Sequence, residues 1–367
     1  MANLFFRTNV APYRIDTYNA LHEKLDCEFF FLYAEDNSQK FNMQKLYDQC
    51  NFKVNILKSK SLFGKHSQRV CTNIGQIIKA NKPEVVIVPE FKIITVQVLL
   101  YKLFTRGQFK VVSMCDDSWD MIANDHEWSF AHKWMRKIIT PFLNDLLLVD
   151  DRVVEWYQKK YGKGIWLPII RNEEKEICDY ERTLPMSYEY AKQFDLVGKK
   201  VLLYVGRLAP VKNLEKLIEA VAKTKEEFVM VIVGNGELEG TLRKQASKIN
   251  KPIIFAGRYE GDGIRVWYNI ADVFILASKM EAFGAVTNEA LISGCYCLIS
   301  ESAGSTCLID DSNGKVFNPY DTDKMAKIID ETMHSVDRRT EYRPRPSKMS
   351  FTFNDTIDRV IQKLKML

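Results

Sequence analysis

Short apolar, β-rich runs alternate with helix-patterned segments along almost all of this 367-residue chain. That alternation is the strongest constraint on its fold. Strands separated by helices pair in parallel, and the helices cover both faces of the sheet. In the first half the expected strands are Leu4–Arg7, Glu28–Tyr33, Val54–Leu57, Val85–Val88, Lys110–Met114 and Leu146–Val149. Helical patterns such as Asp16–Leu25 and Ser67–Ala80 lie between them. In the second half the expected strands are Val201–Val205, Phe228–Val233, Ile253–Phe255, Val273–Leu276 and Cys295–Ile299. The helices there are Leu214–Lys223, Gly236–Ile249, Val266–Asn269 and Val286–Ser293. Arg171–Lys199 breaks the pattern: it is charged, lacks a strand and holds Pro185, and reads as an interdomain connection plus a surface helix. Ile357, Val360, Ile361 and Leu364 recur at helical spacing, so Asn354–Leu367 reads as an amphipathic terminal helix. The length suits two domains of roughly 150–180 residues each. The expected division is an N-terminal domain over 1–168, a C-terminal domain over 169–350, and a terminal helix over 351–367.

Charge is distributed unevenly. Residues 1–167 hold 23 Lys and Arg against 18 Asp and Glu, or +5, and the remainder holds 29 of each. No dense basic stripe with interleaved aromatics is present, which argues against a nucleic-acid partner. The excess suits anionic lipid headgroups or an anionic acceptor. Lys58, Lys60, Lys65 and Arg69 gather around Leu62 and Phe63, so reversible membrane contact is expected there. The longest apolar stretch, Val85 to Tyr101, is broken by Glu90 and Lys92, and nothing approaches the ~20 apolar residues of a membrane span. The chain enters a strand at Leu4 without a signal-peptide pattern. Its eight Cys are irregularly spaced with no C-x-x-C, and Cys295 and Cys297 read as small buried strand residues. A cytoplasmic protein is expected, peripheral on the membrane's inner face where it meets lipid.

Three segments carry the chemistry. In Val201–Lys212 an apolar strand ends at Gly206, Arg207 and Lys212 follow in a loop with Pro210, and Asn213 sits where a helix cap belongs. Strand, basic loop and helix form a layout for gripping an anion at the carboxyl edge of a parallel sheet. Two cations there can neutralise a diphosphate. In Val231–Gly236 the glycines permit a tight turn and close approach to a ligand. The run G-N-G-E-L-E-G has one residue too many for a dinucleotide fingerprint, and no acidic residue ends the next strand, so a nicotinamide site is disfavoured. The third segment follows the strand Asp272–Ser278. Glu281 lies in the loop and Glu289 about one turn into the helix, with free N–H groups near Phe283–Thr287 between them. An anion site flanked by two hydroxyl-binding carboxylates suits a phosphate with a sugar on each side, which describes a nucleotide sugar. No D-x-D motif stands in a plausible donor loop, and Asp145, Asp150 and Asp151 read as strand-end and turn residues. No metal and no resident cofactor are expected.

Here the sequence resembles the GT-B retaining glycosyltransferases of family 4. The resemblance covers roughly Val201 to Asp321 and, more weakly, the whole chain. It rests on G-R at 206–207 with Lys212, G-N-G at 234–236, F-A-G-R at 255–258, A-D-V-F-I-L-A-S at 271–278 and E-A-F-G…N-E-A-L…G at 281–294. Leu308–Ile309 and Asn313–Gly314 also match. It implies two Rossmann-like α/β domains facing each other across a cleft, with the terminal helix crossing back to the N-terminal, acceptor-binding domain. By the same resemblance Arg207 and Lys212 hold the donor diphosphate and stabilise the leaving group. Glu289 binds ribose hydroxyls, and Glu281 contacts the transferred sugar beside the N–H groups of Phe283 and Gly284. Ala285 and Val286 N–H groups meet a phosphate, Gly206 ends the strand beneath it, and Gly236 and Arg258 lie near the nucleobase.

The N-terminal half departs from the family. Many members have a glycine pair after the first strand, where this chain reads Thr8-Asn9-Val10-Ala11-Pro12-Tyr13-Arg14. Proline offers no N–H, so a phosphate contact falls to Val10 or Ala11, with Tyr13 nearby. Many members carry a His after the fifth strand, where this chain reads S-M-C-D-D-S-W-D. Asp116 or Asp117 stands in its place, and Asp116 is the candidate catalytic group. His126 and His132 read as ordinary surface or groove residues. The implied reaction is retaining transfer of a sugar from a nucleoside-diphosphate co-substrate to a glycan or lipid-linked glycan, in capsule, lipopolysaccharide or exopolysaccharide synthesis. The rival readings are an epimerase or phosphorylase on the same scaffold, and a non-enzymatic nucleotide- or glycan-binding protein.

Overall fold

The computed structural model describes residues 2–34, 43–62, 65–123 and 130–367; Phe63 and His126 lie outside them. The chain forms two compact units. One comprises Met1–Asp117, Met121–Arg171 and Phe353–Leu367; the other comprises Ser118–Asp120 and Asn172–Thr352.

The first unit holds strands β1 (Asn3–Arg7), β2 (Cys27–Phe31), β3 (Val54–Ile56), β4 (Ser59–Leu62), β5 (Lys65–Cys71), β6 (Val85–Pro89), β7 (Lys110–Cys115), β8 (Asp145–Leu148) and β9 (Ile165–Trp166). Seven of them form a parallel sheet in the order β3-β2-β1-β6-β7-β8-β9. Its central strands are apolar because both faces are covered: every residue of β1 and β6 is buried. Beside β1 and β2 an aromatic cluster fills the core, with Phe29 stacked on Phe52 at 4.1 Å and tilted against Phe5 at 4.8 Å. The terminal helix Phe353–Lys365 packs on the helix Ile15–Leu25 through Ile357, Val360 and Leu364, and Lys24 Nζ lies 2.6 Å from Asp358.

One expected helix is corrected. Ser67–Ala80 is not a single helix: β5 pairs antiparallel with β4, and the helix is Ile74–Asn81. The Gln97 side chain bonds both the N–H and the carbonyl of Cys71, at 3.0 and 2.8 Å, and so holds the end of the strand. Val70 stands at helical spacing from Ile74 and Ile77, so the apolar pattern runs on across the boundary.

The second unit holds β10 (Val201–Val205), β11 (Val229–Val233), β12 (Ile253–Gly257), β13 (Val273–Leu276), β14 (Tyr296–Ser300) and β15 (Gly314–Phe317), parallel in the order β12-β11-β10-β13-β14-β15. Leu202, Tyr204, Met230, Ile232, Val273 and Ile275 meet Leu214, Leu217 and Ile218 of the helix Leu214–Lys223 in one core. The stretch expected as connection plus surface helix is one 21-residue helix, Glu173–Gln193, with Tyr180, Thr183 and Ser187 buried. Pro185 lies inside it, where a missing N–H would ordinarily interrupt a helix. Asn269 Nδ2 donates to Tyr180 O, Thr183 Oγ1 and Ser187 Oγ at 2.9–3.2 Å, which ties both sides of the proline to the helix Asp262–Ile270.

In each unit the strand order reverses once beside the first strand: between β1 and β6, and between β10 and β13. Ligands of open parallel sheets bind at the carboxyl edge of such a reversal. Among the described residues no helix is long and apolar enough to cross a membrane.

Candidate functional site

The reversal in the second unit brings together residues some seventy positions apart. β10 ends at Val205, and the chain turns through Gly206 and Arg207 into the short turn Pro210–Lys212. β13 ends at Leu276, and Ser278 and Glu281 follow. Lys212 Nζ is ion-paired with the Glu281 carboxylate, both side chains being less than a fifth exposed. Ser278 Oγ lies 3.5 Å from the same carboxylate oxygen. Arg207 is exposed, and its guanidinium has no ion-pair partner among the described residues. Its backbone is fixed instead: Tyr204 OH donates to Arg207 O at 3.0 Å. One anchored cation and one open cation thus stand at the sheet edge. Asn213 does not cap the next helix with its side chain. It adopts φ 61°, and its Nδ2 donates to Pro319 O at 2.8 Å.

The G-N-G loop is built into this edge. Leu208 N–H donates to Asn235 O at 2.9 Å, and Leu238 N–H to Leu208 O at 3.1 Å. A Cβ on Gly234, whose φ is 144°, would lie 1.8 Å from Gly206 O, and one on Gly236 would lie 2.4 Å from Leu208 O. The loops carrying Arg207 and Gly236 therefore touch backbone to backbone. This pairing keeps residues 236–238 out of the expected helix, which runs only over Glu239–Ala246. Arg258, just beyond β12, is exposed and paired with Glu260.

Glu281 also pairs in a one-residue parallel bridge with Ala303, and Gly304 N–H donates to Glu281 O at 3.2 Å. Ser305 N–H donates to Phe283 O at 2.7 Å, and Thr287 Oγ1 meets Ser305 Oγ at 2.9 Å. These bonds fix the turn Glu281–Ala285 ahead of the helix Val286–Ile292. Phe283 is buried, and Gly284 takes φ 92°. The N–H groups of Phe283, Gly284, Ala285 and Val286 have no hydrogen bond to described residues, whereas Thr287 and Asn288 donate to Gly284 and Ala285 carbonyls. Half-buried Glu289 is oriented by Tyr268 OH, which donates to its Oε2 at 3.0 Å, while Tyr180 OH donates to its carbonyl at 3.0 Å. Burial pushes the hydroxyls of both tyrosines up, and the Glu289 charge adds to it, so both stay donors. Tyr268 and Tyr180 have no motif to mark them, and Ser278 ends the A-D-V-F-I-L-A-S match without a role read from it.

The first unit's reversal is also charged. Arg7, at the end of β1, donates to Met114 O at 3.0 Å and to Asp116 Oδ2 at 2.8 Å, and Arg14 pairs with Asp116 Oδ1. Burial alone would raise the Asp116 carboxyl, but Arg14 and Arg7 outweigh it and hold it below the usual carboxylate range. Asp117 points elsewhere. It is 4% exposed and accepts from Tyr157 OH at 3.3 Å. Burial and then the Glu90 charge push it up, against Arg136 and the Tyr157 bond, to about 7. Ala11 is buried at the start of the turn Pro12–Arg14, and Tyr13 is 37% exposed. His132 lies edge-on to Phe91 at 5.7 Å, and burial lowers it. Asp150 accepts from Arg152 N–H as a helix cap, and Asp145 from Leu146 and Gly164 N–H groups. Among the described residues no group of three His, Cys, Asp or Glu side chains is placed to hold a metal ion.

Comparison with known proteins bears on this arrangement. Residues 189–348 match the family model for glycosyl transferases group 1. An uncharacterized glycosyltransferase of Methanocaldococcus jannaschii is 31% identical over 140 residues, covering 37% of this chain and 36% of that protein. The sulfoquinovosyl transferase of Arabidopsis thaliana is 30% identical over 146 residues, covering 39% and 28%. A GDP-mannose-dependent phosphatidylinositol monomannoside mannosyltransferase of Corynebacterium glutamicum is 28% identical over 144 residues, covering 36% and 38%. The matches thus span about a third of these relatives' lengths. Over whole chains, the crystal structure of Anabaena HepE with UDP superposes with TM-score 0.76 at 15% identity, covering 100% of both. A glycosyltransferase from Rickettsia africae gives 0.75 at 14%, covering 100% of this chain and 98% of that one. Residues 189–348 are thus similar to the group 1 glycosyl transferases, and the whole chain has the two-domain α/β fold of the GT-B enzymes.

Proposed function

We propose that the chain is a retaining glycosyltransferase that moves a sugar from a nucleoside diphosphate to a hydroxyl of a glycan or lipid-linked glycan, in cell-surface polysaccharide synthesis. The observation that carries the reading is the cluster at the β10/β13 reversal, where open Arg207 stands with the Lys212–Glu281 pair. Glu281 is the partner of Lys212 in the structure. A diphosphate reaching Arg207 and Lys212 takes over that cation, and Glu281 becomes available to hydroxyls of the transferred sugar. The N–H groups of Phe283 to Val286 face the same anion, and Glu289, aligned by Tyr268, accepts from the ribose. Arg207 and Lys212 supply the positive charge, so the reading needs no metal.

In the reaction the bond from the anomeric carbon to the phosphate oxygen breaks, and a bond to the acceptor oxygen forms on the same face. The acceptor's proton passes to the departing phosphate. Charge grows on the diphosphate as the sugar leaves, and the two cations stabilise it most in that state. Asp116, ionised and engaged by two arginines, serves as a fixed negative group and not as a base.

Relatives act with GDP-mannose and a fold neighbour binds UDP, so UDP and GDP are the first probes. Either should raise the melting temperature by mass action, and Arg207→Ala should abolish the shift. With the matching nucleotide sugar and a saturating acceptor, Arg207→Ala and Lys212→Ala should each lower kcat on the order of 100-fold. Glu289→Ala should raise the donor KM more than it lowers kcat. Near-normal kcat in both cation variants would overturn the reading. Product analysis separates it from its rivals, because transfer requires an acceptor and releases the diphosphate.

A further inference from the structure

The exposed apolar side chains are not scattered. Of the fourteen large ones among the described residues, six lie on two neighbouring segments of the first unit: Leu100, Leu103, Phe104, Trp134, Ile138 and Phe142. Leu100, Leu103 and Phe104 belong to the helix Ile93–Thr105, whose opposite face is buried through Ile94 and Val98. Trp134 and Ile138 belong to the helix Phe130–Ile139, and Phe142 closes the turn after it. A helix apolar all round needs a second apolar neighbour. Here a groove of about 630 Å³ opens between the two helices, floored by Val96, Leu99, Met135 and Ile139. Phe104 and Phe142 stand out beside it, 81% and 67% exposed.

The two segments carry charge of one sign. Residues 91–110 and 130–144 contain no Asp or Glu, yet carry Lys102, Arg106, Lys110, Lys133 and Lys137 besides Lys92, which pairs with Glu90, and Arg136, which is buried. Lys137 Nζ lies 6.0 Å from the Trp134 ring centroid, an apolar body with a cationic tip beside it, as at a membrane interface. A second copy docked face to face would set lysines against lysines.

We infer that this face is a docking surface for an anionic lipid bilayer, with Phe104 and Phe142 inserted at the headgroup boundary and the lysines against lipid phosphates. Apolar insertion and electrostatic attraction add in this kind of binding. The surface differs from the basic cluster around Lys58, Lys60 and Arg69 that the sequence marks. Phe104 and Phe142 lie just ahead of β7 and β8, at the amino ends of the strands, whereas Arg7 and Asp116 lie at the carboxyl ends. Docking therefore leaves the carboxyl edge of this unit uncovered.

The test is co-sedimentation of the full chain with phosphatidylglycerol–phosphatidylcholine vesicles and with phosphatidylcholine vesicles alone, at low and high salt. Wild type should bind the anionic vesicles at low salt and be released by salt. Phe104→Ser with Phe142→Ser should lower the vesicle partition coefficient at least ten-fold, with an unchanged melting temperature because both side chains are exposed. Lys133→Gln with Lys137→Gln should lower it by roughly five-fold per charge. Brominated lipid should quench tryptophan fluorescence in wild type, and less in Trp134→Phe. Absence of binding to anionic vesicles, or binding unchanged by the phenylalanine substitutions, would overturn the inference. So would a wild-type dimer that those substitutions convert to monomer, since the face would then serve self-association.

Discussion

Replacing Asp117 by Asn isolates a single buried titration. The carboxyl is 4% exposed, and burial together with the Glu90 charge lifts it from 3.8 to about 7. In the unfolded chain it returns to the ordinary value. Between those two values the folded protein holds a proton that the unfolded chain has released, so unfolding becomes easier as pH rises, and the cost is complete above pH 7. At about 1.4 kcal/mol for each tenfold change in proton affinity, the full cost is on the order of 4 kcal/mol. Some 1.5 kcal/mol of it is already present at pH 5, leaving about 3 kcal/mol to develop between pH 5 and 8. Asn has no proton to lose and still accepts from Tyr157 OH. Wild type and Asp117→Asn, melted in parallel across that range at constant ionic strength, should diverge, with the variant gaining relative to wild type as pH rises. For a domain of this size the divergence corresponds to roughly 5–10 °C in Tm. Parallel curves, or a carboxyl resonance titrating near the ordinary value, would refute the reasoning, because the buried site would then be solvating the charge.

Gly234→Ala should cost on the order of 3 kcal/mol or more, since the new Cβ meets a main-chain oxygen, Gly206 O, at 1.8 Å and neither loop can yield alone; urea titration measures the loss. Arg339→Met should cost about 3–5 kcal/mol by leaving the buried Asp272 carboxylate without its cation, now 2.7 Å away. Burial already lifts Asp272 against the pull of Arg339, so without the arginine the carboxyl protonates more readily. The deficit, followed by denaturation at several pH values, should shrink as pH falls.

The parts of the fold that can be read in the sequence are those whose cause is local. The central strands Val85–Pro89 and Val201–Val205 are continuous apolar runs because helices cover both faces, and such runs stand out among polar loops. The paired strands β4 and β5 escape because edge pairing leaves no apolar alternation, and the apolar residues of the following helix draw the pattern across the boundary. Arg207, Lys212, Glu281 and Glu289 are legible because each sits next to a strand end or helix start with its own signature. Their partners are not. Tyr268 reaches Glu289 from 21 residues away, and Arg7 and Arg14 reach Asp116 from more than a hundred. No periodicity records which distant side chain a fold will deliver to a carboxylate. In sequence the G-N-G glycines read as room for a ligand. The structure gives a second reason, since Gly234 and Gly236 let two loop backbones touch.

The two units put similar charges to opposite use at the carboxyl edges of their sheets. Each brings arginine or lysine and a carboxylate to the carboxyl edge where its strand order reverses. In the first unit one carboxylate, Asp116, is held by two arginines that are almost wholly buried. Burial makes it costly to exchange such partners. In the second unit the ratio of charges is similar, but Arg207 is open and the Lys212–Glu281 pair keeps partial access to water. A partly hydrated pair can be opened by an incoming anion at modest cost, and in our proposal the open arginine gives that anion its first contact. Cations paired with a carboxylate at the carboxyl edge thus give a fixed electrostatic element in one unit and an exchangeable one in the other. Burial of the cations, not of the carboxylates, separates the two cases, and our proposal puts the diphosphate at the second unit on that ground.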